Sequence, residues 1–314
     1  MAENFAKFED ITFCGQEAEE IFVKNLYSSD LKGYGIRYMG GVKGKKQLMS
    51  GEVSDLYQAY SCPFSPKGSA TLEESWIEPV KIKVNLEQCY DSFWDTFMSK
   101  QTEITLNGGI PQSFFNWFFD DVMIQELKKE YEDLFWNADK GYTGSTREYL
   151  KLGDGIVKQL RDAEGSTKVT GEALTVANVL DKIGEVASKV DELENDVEGY
   201  KIFVNYKDYR KMLTALGEKS PLTVAVWSNF TKEGNKVYAY GMEVVPCRID
   251  ANTIVASLPM NLILVYDVAD SEIAYKIVDM RDKTMDNAFR VGIISNIAMG
   301  VVYPSTAVVT TAIA

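Results

Sequence analysis

Residues 113–138, SFFNWFFDDVMIQELKKEYEDLFWNA, carry the clearest helical period in the chain. Lys128 and Lys129 stand four residues before Glu132 and Asp133, a spacing that forms ion pairs on the solvent side of a helix. At ~1.5 Å per residue the predicted helix is roughly 38 Å long, and its aromatic start is predicted to be buried. The apolar positions recur at steps of three and four residues: Phe115, Phe118, Phe119, Val122, Met123, Leu127, Tyr131, Leu134 and Phe135.

Downstream of this helix the chain continues with further helices and then with strands. A second amphipathic helix is predicted over Thr175–Glu194, and a third begins at the N-cap Asn205 and stops at Gly217. The short run Lys201–Val204 between them, which is apolar from Ile202 onward, predicts a buried strand. From Pro221 onward the period is two, which predicts the strands Leu222–Trp227, Lys236–Ile249, Thr253–Leu258, Leu262–Asp267, Ile273–Met280 and Phe289–Ala314. The predicted fold class is therefore α+β.

Upstream of the helix, residues 1–50 are polar with scattered aromatic anchors that include Tyr34 and Tyr38. The stretch Gly33–Lys46 contains too many glycines to predict a regular element. An extended arm of ~45 residues reaches on the order of 100 Å, well beyond the radius of a compact domain. The pattern therefore predicts an N-terminal arm that lies against another surface.

Residues 51–84 alternate turn signals with strand-like runs. The runs Leu56–Tyr60 and Val80–Val84 flank a stretch that contains Pro63, Pro66 and Lys67. Proline is excluded from central strand positions, so the two prolines mark a turn at the tip of a hairpin. The pattern fits a long projecting hairpin and an ordinary surface hairpin equally well.

Composition narrows the class of function. The 314 residues include no histidine, which removes histidine-based nucleophile pairs, general bases and mixed Cys/His zinc sites. The net charge of −13 argues against a protein that grips nucleic acid, because Lys and Arg drive phosphate binding. A negative net charge is compatible with a protein shell that encloses DNA without binding it tightly. The start of the chain does not resemble a signal peptide, and no apolar run is clean enough to predict a membrane span.

The candidate chemical motifs each fail a specific requirement. Residues 40–46, GGVKGKK, have neither the first glycine nor the hydroxyl residue of a phosphate loop, and residues 153–155, GDG, predict a turn. The carboxylates Asp120–Asp121 and Asp191–Asp196 fit a solvated helix surface better than a glycosidase pair. Cys14, Cys62, Cys89 and Cys247 stand far apart, which predicts reduced and mostly buried thiols. No catalytic residue, cofactor or metal ligand is predicted.

Six short phrases, together with the order of elements, resemble a known family. The phrases are LGDGIVKQL at 152–160, LTVANVL at 174–180, IFVN at 202–205, YGMEVVP at 240–246, NTIVA at 252–256 and NLIL at 261–264. They resemble the major capsid proteins of tailed bacteriophages, which share the Hong Kong 97 fold. The resemblance covers most of the chain from about residue 50 onward.

The resemblance implies a division of the chain into five parts. Residues 1–50 form the N-terminal arm, 51–84 the extended hairpin loop, and 85–150 the spine helix with the first part of the peripheral domain. Residues 151–265 form the axial domain, and 266–314 the terminal strands of the peripheral domain. The expected assembly contacts are Tyr34, Tyr38, Lys43, Lys45, Lys46, Pro63, Pro66 and Lys67.

The function implied is that of a structural subunit rather than an enzyme. Copies of the chain self-assemble into pentamers and hexamers of an icosahedral head in the virion, built in the host cytoplasm around double-stranded DNA held by loose contact. A separate scaffolding protein, portal and head–tail connector proteins are the implied partners, and no membrane is involved. Deleting residues 1–46 is expected to leave a folded core and to abolish stable shells. An encapsulin-like compartment shell and a carboxylate-based hydrolase stay open as alternatives.

Overall fold

The computed structural model describes residues 30–42, 44–54, 57, 59, 67, 69–106, 114–193, 199–218, 230–233, 236–268 and 275–312. The described residues combine helices with sheets in which most strand pairs are antiparallel, which confirms the α+β class. The first half contains α1 (Asp30–Gly33), β1 (Arg37–Met39), β2 (Lys46–Ser54), β3 (Ser69–Ile77), β4 (Val80–Cys89) and α2 (Asp91–Leu106).

The predicted long helix is present and contains a π-helical turn. This helix, α3, consists of the segments Phe114–Trp117, Phe118–Met123 and Ile124–Asn137, of which the middle one is π-helical. In a π turn residues five apart lie above one another, so Phe118 and Met123 both enter one hydrophobic cluster. Leu134 and Phe135 enter a second cluster further along. Helix α3 therefore connects two parts of the core.

The remaining elements follow the sequence pattern in outline. They are α4 (Ile156–Asp162), β5 (Thr167–Val169), α5 (Val179–Leu193), β6 (Lys201–Asn205), α6 (Tyr206–Glu218), β7 (Phe230–Glu233), β8 (Lys236–Ala239), β9 (Met242–Cys247), β10 (Ile254–Ser257), β11 (Leu262–Val268), β12 (Tyr275–Asp279), α7 (Arg281–Thr284), β13 (Ala288–Val301) and β14 (Val308–Thr310). Helix α5 buries the predicted face, and the Asn205 side chain accepts a hydrogen bond from the Lys207 amide at the start of α6. Gly217 was wrongly predicted as the stop of this helix, which continues to Glu218.

A seven-stranded sheet in the order β5-β14-β10-β6-β9-β8-β7 is covered on both faces. In β6, Phe203 points into the cluster that contains the end of α3, while Ile202 and Val204 point into the cluster under α5 and α6. A strand buried on both faces has no polar face, and for this reason Ile202–Val204 appears in the sequence as an uninterrupted apolar run.

A five-stranded sheet is built around the 14-residue strand β13. On one side β13 pairs with β4 over ten residues, from Ala288 opposite Cys89 to Ile297 opposite Val80. On its other side it pairs first with β12 and then with β11, and β1 completes the sheet in parallel to β11. Apolar side chains of β4 and β13 pack on α2 and the aromatic start of α3.

Two strand predictions need correction, and two others fall on residues that are wholly or mostly outside the described part of the chain. The predicted strand Lys236–Ile249 is a hairpin, because Tyr240 and Gly241 have positive φ angles of 51° and 82° that form a tight turn between β8 and β9. The predicted strand Phe289–Ala314 is interrupted by a 3-10 turn at Pro304–Thr306, since proline cannot donate a ladder hydrogen bond. All of the predicted strand Leu222–Trp227 and most of the predicted strand Leu56–Tyr60 lie outside the described residues.

The N-terminal prediction is wrong in one part. Residues 1–29 lie outside the described residues, but Leu31, Ile36 and Val42 are buried and β1 pairs with Ile263–Val265. The glycine-rich stretch therefore includes a strand of the core, because apolar side chains separated by glycine turns still pack against the sheet. The expectation that a subunit without residues 1–46 keeps its core has to be revised accordingly.

The predicted division of the second half does not follow the sheets. Strand β11 crosses the boundary between residues 265 and 266 and belongs to the five-stranded sheet. Strand β14, near the C-terminus, belongs to the seven-stranded sheet, where it lies between β5 and β10. Helix α2 was not predicted, because Trp94 and Met98 are exposed while Phe97 is buried, so its apolar side chains do not lie on one stripe.

Gly155 occupies a position that has no room for a side chain. A Cβ atom there would lie 2.7 Å from the Ala138 nitrogen and 2.7 Å from the Trp136 carbonyl oxygen. We expect Gly155→Ala to lower the free energy of unfolding by about 1–3 kcal/mol, because backbone atoms cannot move aside as a flexible side chain can. The urea midpoint of the subunit measures the loss. Gly217→Ala is the matched control, since its Cβ meets nothing within 4 Å and alanine favours a helix by about 1 kcal/mol over glycine. Equal midpoints for the two variants would contradict the packing argument.

Candidate assembly surfaces

Strands β2 and β3 form a two-stranded sheet of their own. Their nine register pairs run from Lys46 opposite Ile77 to Ser54 opposite Ser69, which corresponds to an antiparallel ribbon of roughly 30 Å. This confirms a hairpin ahead of α3, although it starts at residue 46 rather than 51. Strand β4, which was predicted as its second arm, pairs with β13 in the five-stranded sheet instead.

The base of the hairpin is fixed to the five-stranded sheet. Ile77 is buried in a cluster with Val42, Ile263, Val265 and Ala298. A Cβ atom at Gly300 would lie 2.7 Å from the Ile77 Cδ1 atom, so the glycine provides the space that Ile77 fills. Because the base is packed in this way, the direction of the ribbon is set by the body of the subunit.

Beside the hairpin base lies an open cleft of about 330 Å³. Its walls include Trp76, whose side chain is 53% exposed, and Leu152, which is 37% exposed. The ammonium group of Lys45 lies 4.9 Å from the centre of the Trp76 ring, a cation–π geometry. Lys140 and Asp154 form an ion pair of 3.5 Å on another wall. The cleft therefore combines exposed apolar surface with both signs of charge.

The two tyrosines predicted as assembly contacts make contacts within their own subunit. Tyr34 is half-buried, and its single hydroxyl proton has two acceptors within hydrogen-bond distance, Glu132 Oε1 at 3.2 Å and the Pro246 carbonyl oxygen at 3.1 Å. Tyr38 is half-buried against the same core cluster. These rings anchor β1 to the body of the chain, and a role for either one between subunits stays a prediction.

The other predicted contacts are only partly described. Lys45, Lys46 and Lys67 are exposed, the first two at the hairpin base. Lys43, Pro63 and Pro66 lie outside the described residues. The structure therefore brings Lys45 together with Trp76, places Lys46 opposite Ile77 at the hairpin base, and leaves the predicted tip as a prediction.

The carboxylates predicted on the solvent side of α3 are buried instead. Glu132 accepts a hydrogen bond of 3.0 Å from the Arg248 amide, in the connection between β9 and β10. Asp133 accepts from Arg147 Nη1 at 3.0 Å and from the Tyr149 hydroxyl group at 2.7 Å. The prediction of a wet face at these positions is wrong, and Lys129 pairs with Glu126 at 2.7 Å. The apolar residues Leu134, Phe135, Trp136 and Ala138 that follow were the signal that the end of the helix is buried all round.

Charge and burial act together in this network. Arg147 also contacts Asp250 Oδ1 at 3.0 Å, so one guanidinium group connects α3 to the β9–β10 connection. Burial disfavours its charge, but the carboxylates of Asp250 and Asp133 outweigh burial and raise the pKa of Arg147. Burial and then the hydrogen bond to Asp133 raise the pKa of Tyr149, which keeps its hydroxyl group protonated as a donor. Arg147 and Tyr149 therefore both donate to Asp133 at neutral pH.

The described residues contain no group of three or more carboxylate or cysteine side chains arranged to hold a metal ion. Cys247 is buried, and burial raises the pKa of its thiol, whereas Cys89 is exposed and departs from the predicted burial.

Asp191 and Glu192 are exposed on α5, as expected of a solvated surface. The turn predicted at residues 153–155 is instead an extended connection: Gly153 and Gly155 both have extended backbone, and the Gly155 amide donates to the Ala138 carbonyl at 2.7 Å. Among the described helices, none has the length and apolar character needed to cross a membrane.

The sequence matches no family model and no curated protein. The fold, however, is similar to that of chains in solved structures. A chain of the satellite phage P4 procapsid, solved with its size determination protein, has a TM-score of 0.60 at 13% identity over 93% of this chain and 98% of that one. A chain from the capsid of an empty GTA particle has a TM-score of 0.54 at 9% identity, covering 91% and 90%. A chain of the mature capsid of bacteriophage PhiM1 has a TM-score of 0.51 at 11% identity, covering 91% and 87%.

These similarities extend over nearly the whole chain at an identity of only 9–13%. The chain therefore has the Hong Kong 97 fold, the fold of the phage major capsid proteins.

Proposed function

We propose that this chain is a structural subunit whose copies assemble into the pentamers and hexamers of an icosahedral head that encloses the double-stranded DNA of a tailed phage. The observation that carries the proposal is the match to the P4 procapsid chain, which spans 93% of one chain and 98% of the other. A match of that extent supports a role shared by the whole chain rather than by one module. The chain would act in the virion and not as an enzyme.

The geometry of the subunit suits assembly from many weak contacts. The β2–β3 ribbon extends contact surface beyond its own sheet, while its packed base at Ile77 fixes its direction. Closed rings multiply each contact, so an interface that contributes only a few kcal/mol is sufficient. Lys45, Lys46 and Lys67 are exposed cations on a chain of net charge −13, and we propose that they contact acidic surface of a neighbouring copy.

The finer parts of the proposal concern regions and partners. We assign the seven-stranded sheet with α5 and α6 to the axial domain at the centre of each ring, and the five-stranded sheet with α2 and α3 to the peripheral domain. Residues 1–29 are proposed as the arm. A separate scaffolding protein, portal and head–tail connector proteins are the proposed partners, DNA contact is loose because of the negative charge, and assembly occurs in the host cytoplasm.

The test is to express the full chain in bacterial cells and to examine it by size-exclusion chromatography and negative-stain microscopy. We expect capsomer rings, tubes or shells, with regular shells once the scaffolding protein is supplied. A compact monomer or dimer at micromolar concentration would contradict the proposal. Particles filled consistently with one other protein would indicate a compartment shell instead of a phage head.

A further inference from the structure

Strand β4 has an open edge. It pairs with β13 over ten residues, and within the described residues no strand pairs with its other side. On the face of β4 turned away from α2 and α3, the exposed side chains are Lys81, Lys83, Asn85, Glu87 and Cys89. An edge of this length offers a row of backbone donors and acceptors to a further strand.

The alternation of hydrogen-bonded pairs between β4 and β13 shows which backbone groups of β4 are directed to the open edge. The Tyr90 amide donates to the Asn287 carbonyl at 3.1 Å, next to the register pair of Cys89 and Ala288. Hydrogen-bonded pairs alternate along an antiparallel ladder, so the even-numbered residues of β4 bond to β13. The Met280 amide donates to Ala288 on the other side of β13, which is the alternation expected. The odd-numbered residues of β4 therefore direct their N–H and C=O groups to the open edge.

The apolar side of β4 is also incompletely covered. Val80, Ile82, Val84 and Leu86 are only half-buried, whereas their register partners Ile297, Ser295, Ile293 and Val291 on β13 are buried. A further strand on the open edge would place its own apolar row beside these residues. Burial of apolar area contributes roughly 25 cal/mol per Å², so a partner strand with a matching row gains free energy from this contact.

We propose that the open edge of β4 pairs with β4 of a second copy, antiparallel about a two-fold axis at Val84, an interface that rests on the proposed function and specifies one of its contacts. The odd residues carry the free backbone groups in both copies, so odd residues must lie opposite odd residues. About this axis Lys81 faces Glu87 of the partner subunit, and Lys83 faces Asn85 of the partner subunit. On the other face of the paired strands Ile82 faces Leu86 of the partner subunit, and Val84 faces Val84 of the partner subunit.

The neighbouring registers are less favourable. A shift of the axis toward the start of β4 puts Lys83 opposite Lys83 of the partner subunit, and like charges directly opposite destabilise a sheet. A shift toward Asn85 keeps one Lys–Glu pair but places Ile82 opposite Gln88 of the partner subunit. Lysines on an edge strand otherwise prevent unwanted pairing. Here Glu87, which contacts Arg290 at 2.5 Å within its own subunit, supplies the charge that offsets Lys81 of the partner subunit.

A disulfide at the axis tests this register. Residues opposite each other in a non-hydrogen-bonded pair have Cα atoms about 4.5 Å apart, within the range of a disulfide. We expect Val84→Cys, with Cys14, Cys62 and Cys89 replaced by Ser, to give mostly covalent dimers on a non-reducing gel after oxidation of assembled particles. Gln88→Cys in the same background is the matched control on the same face of the strand. Its two copies would lie eight residues apart along the paired strands, roughly 27 Å, and should stay monomeric.

The outcomes separate this interface from the proposed function. Microscopy of the serine background before oxidation shows whether shells form at all, and their absence would count against the proposed function. Shells in which Val84→Cys stays monomeric would overturn the β4 interface alone. Dimers from Asn85→Cys and not from Val84→Cys would overturn the register. If Val84→Cys prevents assembly, the double variant Lys81→Cys/Glu87→Cys replaces it, because both side chains are exposed and the two positions face each other across the interface.

Discussion

Removal of residues 1–46 is expected to abolish the folded subunit and not only the shell. Leu31, Ile36 and Val42 are buried, and removal of one such side chain costs about 2–5 kcal/mol. The truncation also removes the three-residue pairing of β1 with Ile263–Val265 and the Tyr34 hydrogen bond to Glu132. These losses together are comparable to the 5–15 kcal/mol that holds a typical domain folded. We expect insoluble protein, or a soluble product without a cooperative urea transition.

A truncation that removes only residues 1–29 is the matched variant for the removal of residues 1–46. It keeps every buried residue of α1 and β1 that the structure describes, so we expect a urea midpoint close to that of the full chain. The proposed arm predicts that this shorter truncation stays folded and fails to form stable shells, as seen by negative-stain microscopy. Normal particles from it would refute the arm. A native urea transition after removal of all 46 residues would show instead that β1 contributes little to the core.

Asp133→Ala is expected to lower the free energy of unfolding by about 3 kcal/mol. Asp133 is buried and accepts from Arg147, Tyr149 and Asn137, the last at 2.6 Å. Loss of one partner of a buried ion pair costs about 3–5 kcal/mol, because the other partner stays desolvated without its counter-charge. The lower end applies here, since Arg147 is partly exposed and keeps its contact with Asp250. Urea denaturation of the subunit measures the loss.

Glu126→Ala on the same helix is the control for Asp133→Ala. Glu126 and Lys129 form an exposed pair of 2.7 Å, and exposed pairs of this kind contribute about 0.5 kcal/mol or less. A double-mutant cycle with Arg147→Ala isolates the coupling between Asp133 and Arg147 from other effects of the truncated side chain. Losses of similar size for Asp133→Ala and Glu126→Ala would mean that the buried network contributes no more than a surface pair.

Two different sets of contacts attach helix α3 to the two sheets. The network of Glu132, Asp133 and Arg147 connects α3 to the β9–β10 connection, and thereby to the seven-stranded sheet. The aromatic cluster of Phe114, Phe118 and Phe289 connects the start of α3 to the five-stranded sheet. Helix α3 is therefore held at both ends by different means. A change in either network would alter how the two sheets are held relative to α3, and with them any surfaces that they present to neighbouring copies.

The parts of the fold that local patterns control were predictable. The period of three and four residues along α3, the face of α5 and the Asn205 cap of α6 are properties of short stretches, and the structure confirms them. The hairpin was predicted from turn residues, but its arms were misplaced. The run Val80–Val84 has the alternation of any half-buried strand, and the pattern does not specify which strand is its partner.

The sequence predicted the kind of residue at the candidate assembly surface, exposed lysines and aromatic anchors, but not their contacts. Exposed lysines near the hairpin base are visible in the sequence, but Trp76 beside Lys45 is the product of the β2–β3 register. Tyr34 was predicted as an anchor, and the structure shows that its partners are Glu132 and Pro246 of its own chain. These partners lie 98 and 212 residues away, a separation at which no local pattern carries information.

The sequence by itself determined the α+β class, the long amphipathic helices, the histidine-free composition that removes whole groups of catalytic sites, and a cumulative resemblance to the phage capsid family. Composition and hydrophobic period are properties of the sequence itself, so they can be determined without knowledge of the fold. Only the tertiary structure decided that Glu132 and Asp133 are buried, that Leu31–Val42 belongs to the core, and that β4 joins β13 and leaves its other edge open. Each of these depends on which distant segments meet, and long-range pairing is set by the packing of the whole chain.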